Sequence, residues 1–201
     1  MIRTIIFDLG RVIIPFDFGR GYQALSECTG LSIDEIRARI LATKLVHPFE
    51  SGKVEPEDFV RQITSALGAQ LDYTGFCDIW NSIFSHEPLF EESFLEALRA
   101  RYRVLLLSNT NAIHFKMIRE RYPIISHFDD YILSYEVGAQ KPEDAIYRAA
   151  LAKAECAAEE CFFTDDIPDY VEAAKRHGIQ ALQFQSAAQV QDELRRLGVT
   201  W

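Results

Sequence analysis

The chain has 201 residues, 48% apolar and 25% charged, with 21 Lys and Arg against 30 Asp and Glu for a formal net charge of −9. That length fits one domain, or a core domain with an insertion, and buries a core without disulfides or a structural metal. The acidic balance argues against a nucleic-acid surface, which needs clustered Lys and Arg, and no apolar run approaches the ~18 residues of a membrane span. Met1-Ile2-Arg3-Thr4 leads into a strand without a signal-peptide core. Cys28, Cys77, Cys156 and Cys161 show neither CxxC pairing nor nearby metal-type His spacing. The expectation is a cytoplasmic monomer or homodimer with reduced thiols.

In chain order, the first signal is Ile5-Ile6-Phe7-Asp8-Leu9-Gly10, a β-branched and aromatic run ending in a carboxylate and a glycine. It reads as a buried parallel strand, and ligands of open α/β sheets gather at the carboxyl ends of such strands. A turn-capping Asp fits this segment equally well, so later motifs decide.

Residues 16–88 read as all-helical. Ser32-x-x-Glu35 predicts a capping box before Ile36, Ile40 and Leu41, and Gly30 and Gly68 predict helix ends. Pro56 starts a helix with Phe59, Ile63 and Leu67 on one face, and Phe76, Ile79, Trp80 and Ile83 form a stripe read as core. The simplest arrangement is an inserted all-helical cap over residues 16–88, with 1–15 and 89–201 as core.

From Arg103 onward, strands and helices alternate. Val104-Leu105-Leu106-Leu107 runs into Ser108-Asn109-Thr110-Asn111, and a helix follows with Ile113, Met117, Ile118 and Tyr122 on one face. Tyr131-Ile132-Leu133 is a strand, and Lys141-Pro142-Glu143-Asp144 predicts a helix start with Pro142 in its first position. Cys161-Phe162-Phe163-Thr164 runs into Asp165-Asp166, and the next helix closes at Arg176-His177-Gly178. A strand over Ile179 to Phe184 and a helix over Val190 to Leu197 complete the chain. The alternation predicts an α/β fold, a Rossmann-like, mainly parallel sheet with right-handed crossovers.

Asp8, Ser108-Asn109 and Asp165-Asp166 fall at three strand ends, with Lys141 at a helix start. Phosphoryl transfer needs this assortment. A carboxylate attacks phosphorus, Mg2+ held by further carboxylates neutralises phosphate oxygens, and a hydroxyl, a backbone N–H and a Lys hold the rest. Singly, Ser-Asn after a strand is an N-cap and a lone Lys a solvated charge, whereas adjacent acids repel each other and a cation is the common remedy.

The motifs Phe7-Asp8-Leu9-Gly10-Arg11-Val12, Leu107-Ser108-Asn109-Thr110, Gly138-Ala139-Gln140-Lys141-Pro142 and Phe163-Thr164-Asp165-Asp166 resemble those of the haloacid dehalogenase-like (HAD) superfamily over essentially the whole chain. Phe49-Glu50-Ser51-Gly52-Lys53-Val54 and Trp80-Asn81-Ser82-Ile83-Phe84 are similar to the helical cap of its branch of bacterial sugar-phosphate phosphatases, which the phosphatase domain of soluble epoxide hydrolase also resembles. The resemblance implies a Mg2+-dependent phosphatase of small phosphorylated metabolites. It makes Asp8 the nucleophile that forms an aspartyl-phosphate, Ser108 and the Asn109 amide the phosphoryl binders, and Lys141 the bridge between Asp8 and phosphate. It assigns the metal to Asp8, the Gly10 carbonyl and Asp166, with Asp165 acting through water.

Four positions depart or stand open. Most family phosphatases carry a general acid and base at the position of Gly10. Its loss, worth ~10²–10⁴-fold, predicts activated leaving groups such as anomeric sugar phosphates. Arg11 stands where Gly or Asn is usual and reaches substrate, the cap interface or solvent. Tyr170 replaces an Asn that organises the lysine in relatives, a role that Asp169 shares at most in part. Asp17 either matches a branch-typical acid or N-caps the first cap helix. Trp80, Phe84 and His47 are the expected specificity residues. Two other readings compete: a metal-independent 2-haloacid dehalogenase, disfavoured by the acidic pair, and a weakly catalytic HAD-fold binding or regulatory protein, favoured by Gly10 and Tyr170.

Overall fold

The computed structural model describes residues 1–84 and 87–201. After the first strand, β1 (Thr4–Phe7), the chain builds five helices: α1 (Phe18–Thr29), α2 (Ile33–Thr43), α3 (Val46–Glu50), α4 (Pro56–Leu67) and α5 (Tyr73–Asn81). Local chemistry sets their ends. Asp17 Oδ1 accepts the Gly19 N–H at 2.8 Å and so caps α1, the Ser32–Glu35 capping box forms at α2, and Pro56 opens α4. Leu25, Ile36, Ile40, Phe49, Phe59, Ile63, Leu67 and Phe76 pack into a hydrophobic cluster of their own, which Ile113 joins from the sheet side.

The remaining helices are α6 (Glu92–Arg99), α7 (Ala112–Arg121), α8 (Ser134–Val137), α9 (Asp144–Ala154), α10 (Pro168–Arg176) and α11 (Ala187–Arg196). They alternate with β2 (Arg103–Ser108), β3 (Asp130–Leu133), β4 (Cys161–Asp165) and β5 (Gln180–Gln183). The sheet order is β3-β2-β1-β4-β5, with every pairing parallel. Alternate residues feed opposite faces: Ile5, Phe7, Val104 and Leu106 join one core cluster, and Ile6, Leu105, Leu107 and Phe163 the other. Burial on both faces explains why the central strands read as unbroken apolar runs. The register sets Phe7 beside Leu106 on one side and Thr164 on the other, so Asp8 and Asp165 leave neighbouring strands at one level. The chain order reverses between β1 and β4, where open sheets form their crevice.

Two boundaries differ from the sequence reading. Pro142 lies ahead of α9, not in its first turn. Glu143 N–H donates to the Gln140 carbonyl at 2.7 Å and Gln140 N–H to the Glu143 carboxylate at 2.9 Å, so a turn closes before the helix begins at Asp144. The last helix starts earlier than Val190, at Ala187, because Ser186 caps it through the Gln189 N–H. Among the described residues no helix is long and apolar enough to cross a membrane.

Candidate active site

The site is assembled at the carboxyl ends of β1, β2 and β4. Asp8 directly follows β1, and its N–H donates to the Thr164 carbonyl at 3.0 Å, which carries the strand pairing one residue further. Lys141 reaches in from the turn before α9 with its side chain 1% exposed. Its Nζ donates to Asp8 Oδ1 at 2.5 Å, Asp165 Oδ2 at 2.6 Å and the Leu107 carbonyl at 3.1 Å. Three acceptors use all three ammonium protons.

Two further contacts hold this lysine. Asn109 clamps its backbone: Asn109 Oδ1 accepts the Lys141 N–H at 2.8 Å, and Asn109 Nδ2 donates to the Lys141 carbonyl at 3.0 Å. Tyr170 stands under the ammonium, with Nζ 5.2 Å from its ring centroid, and its hydroxyl accepts from Asn109 Nδ2 at 3.4 Å. Tyr170 therefore supports Lys141 through an aromatic face and a shared hydrogen bond. The exposed Asp169 has no hydrogen bond or ion pair to Lys141.

Asp8, Asp165 and Asp166 each present a carboxylate oxygen within 4.8 Å of the others. Asp165 is fully buried and its Oδ1 accepts the Ile167 N–H at 2.9 Å, while Asp166 is half-buried. Burial pushes the Asp8 carboxyl up to about 7, against the pull of the Lys141 ammonium and with help from the Asp165 charge. Burial also works against the Lys141 ammonium, but Asp165 and Asp8 together hold its pKa above the ordinary lysine value. Asp166 is raised by burial and by Asp165. Closely spaced hard oxygens that resist simultaneous ionisation are a fitting donor set for Mg2+.

Gly10 and Ser108 face a small cavity of about 70 Å3 that Asn109, Phe16, Phe84, His114 and Glu50 also line. The Phe16 ring fills the place beside Gly10: a Cβ there would meet Phe16 Cε1 at 2.7 Å. Arg11 takes a left-handed backbone, φ 59°, which Gly and Asn adopt more readily. It is exposed, stacks its guanidinium 4.8 Å from the Phe16 centroid, and draws the Asp166 pKa down against its rise.

A second cavity of about 140 Å3 shares Phe18, Glu50, Ile83 and His114 with the first and extends between the helices along Tyr22, Leu25, Ile79 and Trp80. Ile79, Trp80 and Ile83, read from sequence as core, do pack on the hydrophobic clusters and also line this cavity, because α5 turns that edge of its stripe toward α1 and α7. His47 lines neither cavity, and its carbonyl accepts from Gln140 Nε2 at 3.0 Å. Burial drives His114 down to about 3, leaving a neutral ring stacked on Trp80. Glu50 was not singled out by sequence reasoning. Its signal was a carboxylate directly after the core residue Phe49.

Residues 2–178 match the family described as haloacid dehalogenase-like hydrolase. Among curated proteins, a D-ribitol-5-phosphate phosphatase of Bacteroides thetaiotaomicron is 27% identical over 200 residues, covering 96% of this chain and 97% of that protein. A sesquiterpene phosphatase of Aspergillus oryzae is 25% identical, over 97% of this chain and 96% of its own. Among solved structures, a HAD family enzyme of Bacteroides thetaiotaomicron in complex with magnesium and inorganic phosphate superposes with a TM-score of 0.82 at 27% identity, covering 93% of this chain and 96% of that one. The chain belongs to the haloacid dehalogenase-like hydrolase family.

Proposed function

We propose that the protein is a Mg2+-dependent phosphatase of small phosphorylated metabolites that works through an aspartyl-phosphate on Asp8. The observation that carries this reading is the meeting of Asp8, Asp165 and Asp166 within 4.8 Å of one another, the first two bonded to the Lys141 ammonium. The phosphatase names of the relatives, and the magnesium and phosphate bound to the similar Bacteroides structure, support it.

In the proposed mechanism, Lys141 fixes Asp8 Oδ1, which leaves Oδ2 to attack phosphorus and break its bond to the leaving oxygen. The buried Ser108 hydroxyl and the Asn109 backbone N–H hold the phosphoryl oxygens, and Lys141 bridges them to Asp8 once a phosphoryl oxygen replaces one of its three present acceptors. Water then cleaves the aspartyl-phosphate and restores the carboxylate. Asp8, the Gly10 carbonyl and Asp166 would hold Mg2+ directly, with Asp165 through water. When bound, the ion supplies neutralising charge for the phosphate oxygens. Arg11 flanks the entrance on the Phe16 face as a substrate contact. Residues 16–88 act as a cap that walls the cleft over the 1–15 and 89–201 core, in a cytoplasmic monomer or homodimer.

Phosphate release from a substrate panel tests this reading. It requires Mg2+-dependent turnover that Asp8→Asn abolishes. Halide release from 2-haloacids without metal, with no phosphate release, would replace it by the dehalogenase reading.

A further inference from the structure

In relatives of the resembling family the proton-transfer acid stands where this chain has Gly10, and here that place is closed. Phe16 lies against Gly10 and is packed by Phe18 at 4.9 Å and Phe84 at 6.0 Å between ring centroids. Another acidic residue lines the same space. Glu50 ends α3 and borders both the small cavity beside Gly10 and Ser108 and the larger apolar one beyond it. Among the described residues no hydrogen bond or ion pair engages its carboxyl. Burial alone pushes that carboxyl up to about 7, so its acid and base forms coexist at neutral pH.

Its position is fixed by one contact within the helical layer and two to the sheet side. Phe49 stacks on Phe59 with centroids 4.0 Å apart, and Ser51 Oγ accepts from Gln140 Nε2 at 3.0 Å, one residue before Lys141. Gly52, at φ +66°, rests on the Tyr135 carbonyl so closely that a Cβ would stand 2.0 Å from the oxygen. The segment carrying Glu50 is therefore tied to the same turn that delivers Lys141.

Resting on the phosphatase reading, we propose that Glu50 is the general acid and base of this enzyme and that the leaving alcohol lies in the apolar cavity Glu50 borders. In the first step Asp8 bonds to phosphorus, the bond from phosphorus to the ester oxygen breaks, and the Glu50 proton passes to that oxygen to release a neutral alcohol. In the second step Glu50, now a carboxylate, takes a proton from water as the water oxygen bonds to phosphorus. The bond from phosphorus to Asp8 breaks, and inorganic phosphate leaves. The substrate class is a monoester of an unactivated alcohol with a compact, largely apolar body, matched to about 140 Å3 walled by Tyr22, Leu25, Ile79 and Trp80. The restriction to activated leaving groups that Gly10 alone predicts is thereby lifted.

The test compares kcat/KM of wild type and Glu50→Gln, with Mg2+, on a primary alkyl phosphate and on p-nitrophenyl phosphate, whose leaving group departs without a proton. For Glu50→Gln we expect a loss of about 10²-fold or more on the alkyl ester and less than about threefold on the aryl ester. Partial recovery of alkyl turnover in Glu50→Asp is expected as well. Equal losses on both esters, or no loss on either, overturn the role of Glu50 while Asp8-dependent turnover keeps the phosphatase reading intact. Absence of wild-type turnover, or turnover that survives Asp8→Asn, overturns the phosphatase reading and the Glu50 proposal with it.

Discussion

The carboxyl end of the sheet and the helical wall opposite it handle buried charge in different ways. At the sheet, Lys141 gives all its protons to Asp8, Asp165 and the Leu107 carbonyl, and both oxygens of Asp165 are engaged. In the helical layer, Glu50 has no hydrogen-bond or ion-pair partner among the described residues and meets burial by keeping its proton up to about 7. A buried ion pair is costly to break because the survivor is left uncompensated, whereas a lone buried acid is costly only to ionise. One wall of the cleft therefore holds its acids fixed around a shared ammonium, with burial still raising Asp8 to about 7, and the other holds an acid with no counter-charge among the described residues.

The largest expected effect lies on the fixed side. Lys141→Met leaves Asp8 and Asp165 buried and unpaired and lowers the unfolding free energy by about 3–5 kcal/mol in denaturant titration. A loss below about 1 kcal/mol would mean that the pair is not desolvated as its burial indicates. Next comes Gly10→Ala, whose methyl group collides with Phe16 and costs about 1–3 kcal/mol, read as a lower melting temperature. Unchanged melting would show that Phe16 moves aside freely.

The third effect is on proton linkage. Mg2+ needs Asp8 ionised, so with its pKa raised to about 7 the affinity measured by calorimetry should fall about tenfold per pH unit as pH drops below that value. In the metal-free protein the sign for stability is opposite. The folded state holds the Asp8 proton between its ordinary 3.8 and about 7 while the unfolded chain has lost it, so this group's contribution declines as pH rises through that window. Affinity independent of pH across the window would remove Asp8 from the ligand set. Smallest is Glu50→Gln, which loses no partner among the described residues and should shift stability by less than about 0.5 kcal/mol. A large loss would reveal an interaction that the paired and unpaired walls do not explain.

The chemistry of the sheet end was readable in the sequence because a parallel strand buried on both faces is a continuous apolar run. The polar residue that closes it, whether Asp8, Ser108 or, one place after Thr164, Asp165, marks the strand's carboxyl end. Lys141 was found from its motif, though the turn that delivers it was taken for a helix start. Helix periodicity located the apolar stripe of α5 but not which neighbour each part meets, so Ile79, which packs on the core cluster and also lines the cavity, was read only as core, while Trp80 was expected at the substrate. Glu50 escaped because its value depends on where α3 docks, which is set by distant contacts such as Ser51 to Gln140. Helix α6, Glu92–Arg99, was legible in the Phe94, Leu95 and Leu98 stripe but was passed over, being short and without a capping hydrogen bond at Glu91. Phe16 filling the space beside Gly10 is likewise a packing outcome with no periodic trace.

Trapping the covalent intermediate tests the role of Asp8 most directly. Wild-type protein mixed with Mg2+ and substrate, quenched in acid within a turnover and digested, should carry one added phosphoryl mass on the peptide containing Asp8, and Asp8→Asn should carry none. Phosphate release at an undiminished rate from Asp8→Asn, or a phosphoryl group found on any other residue, would contradict the account.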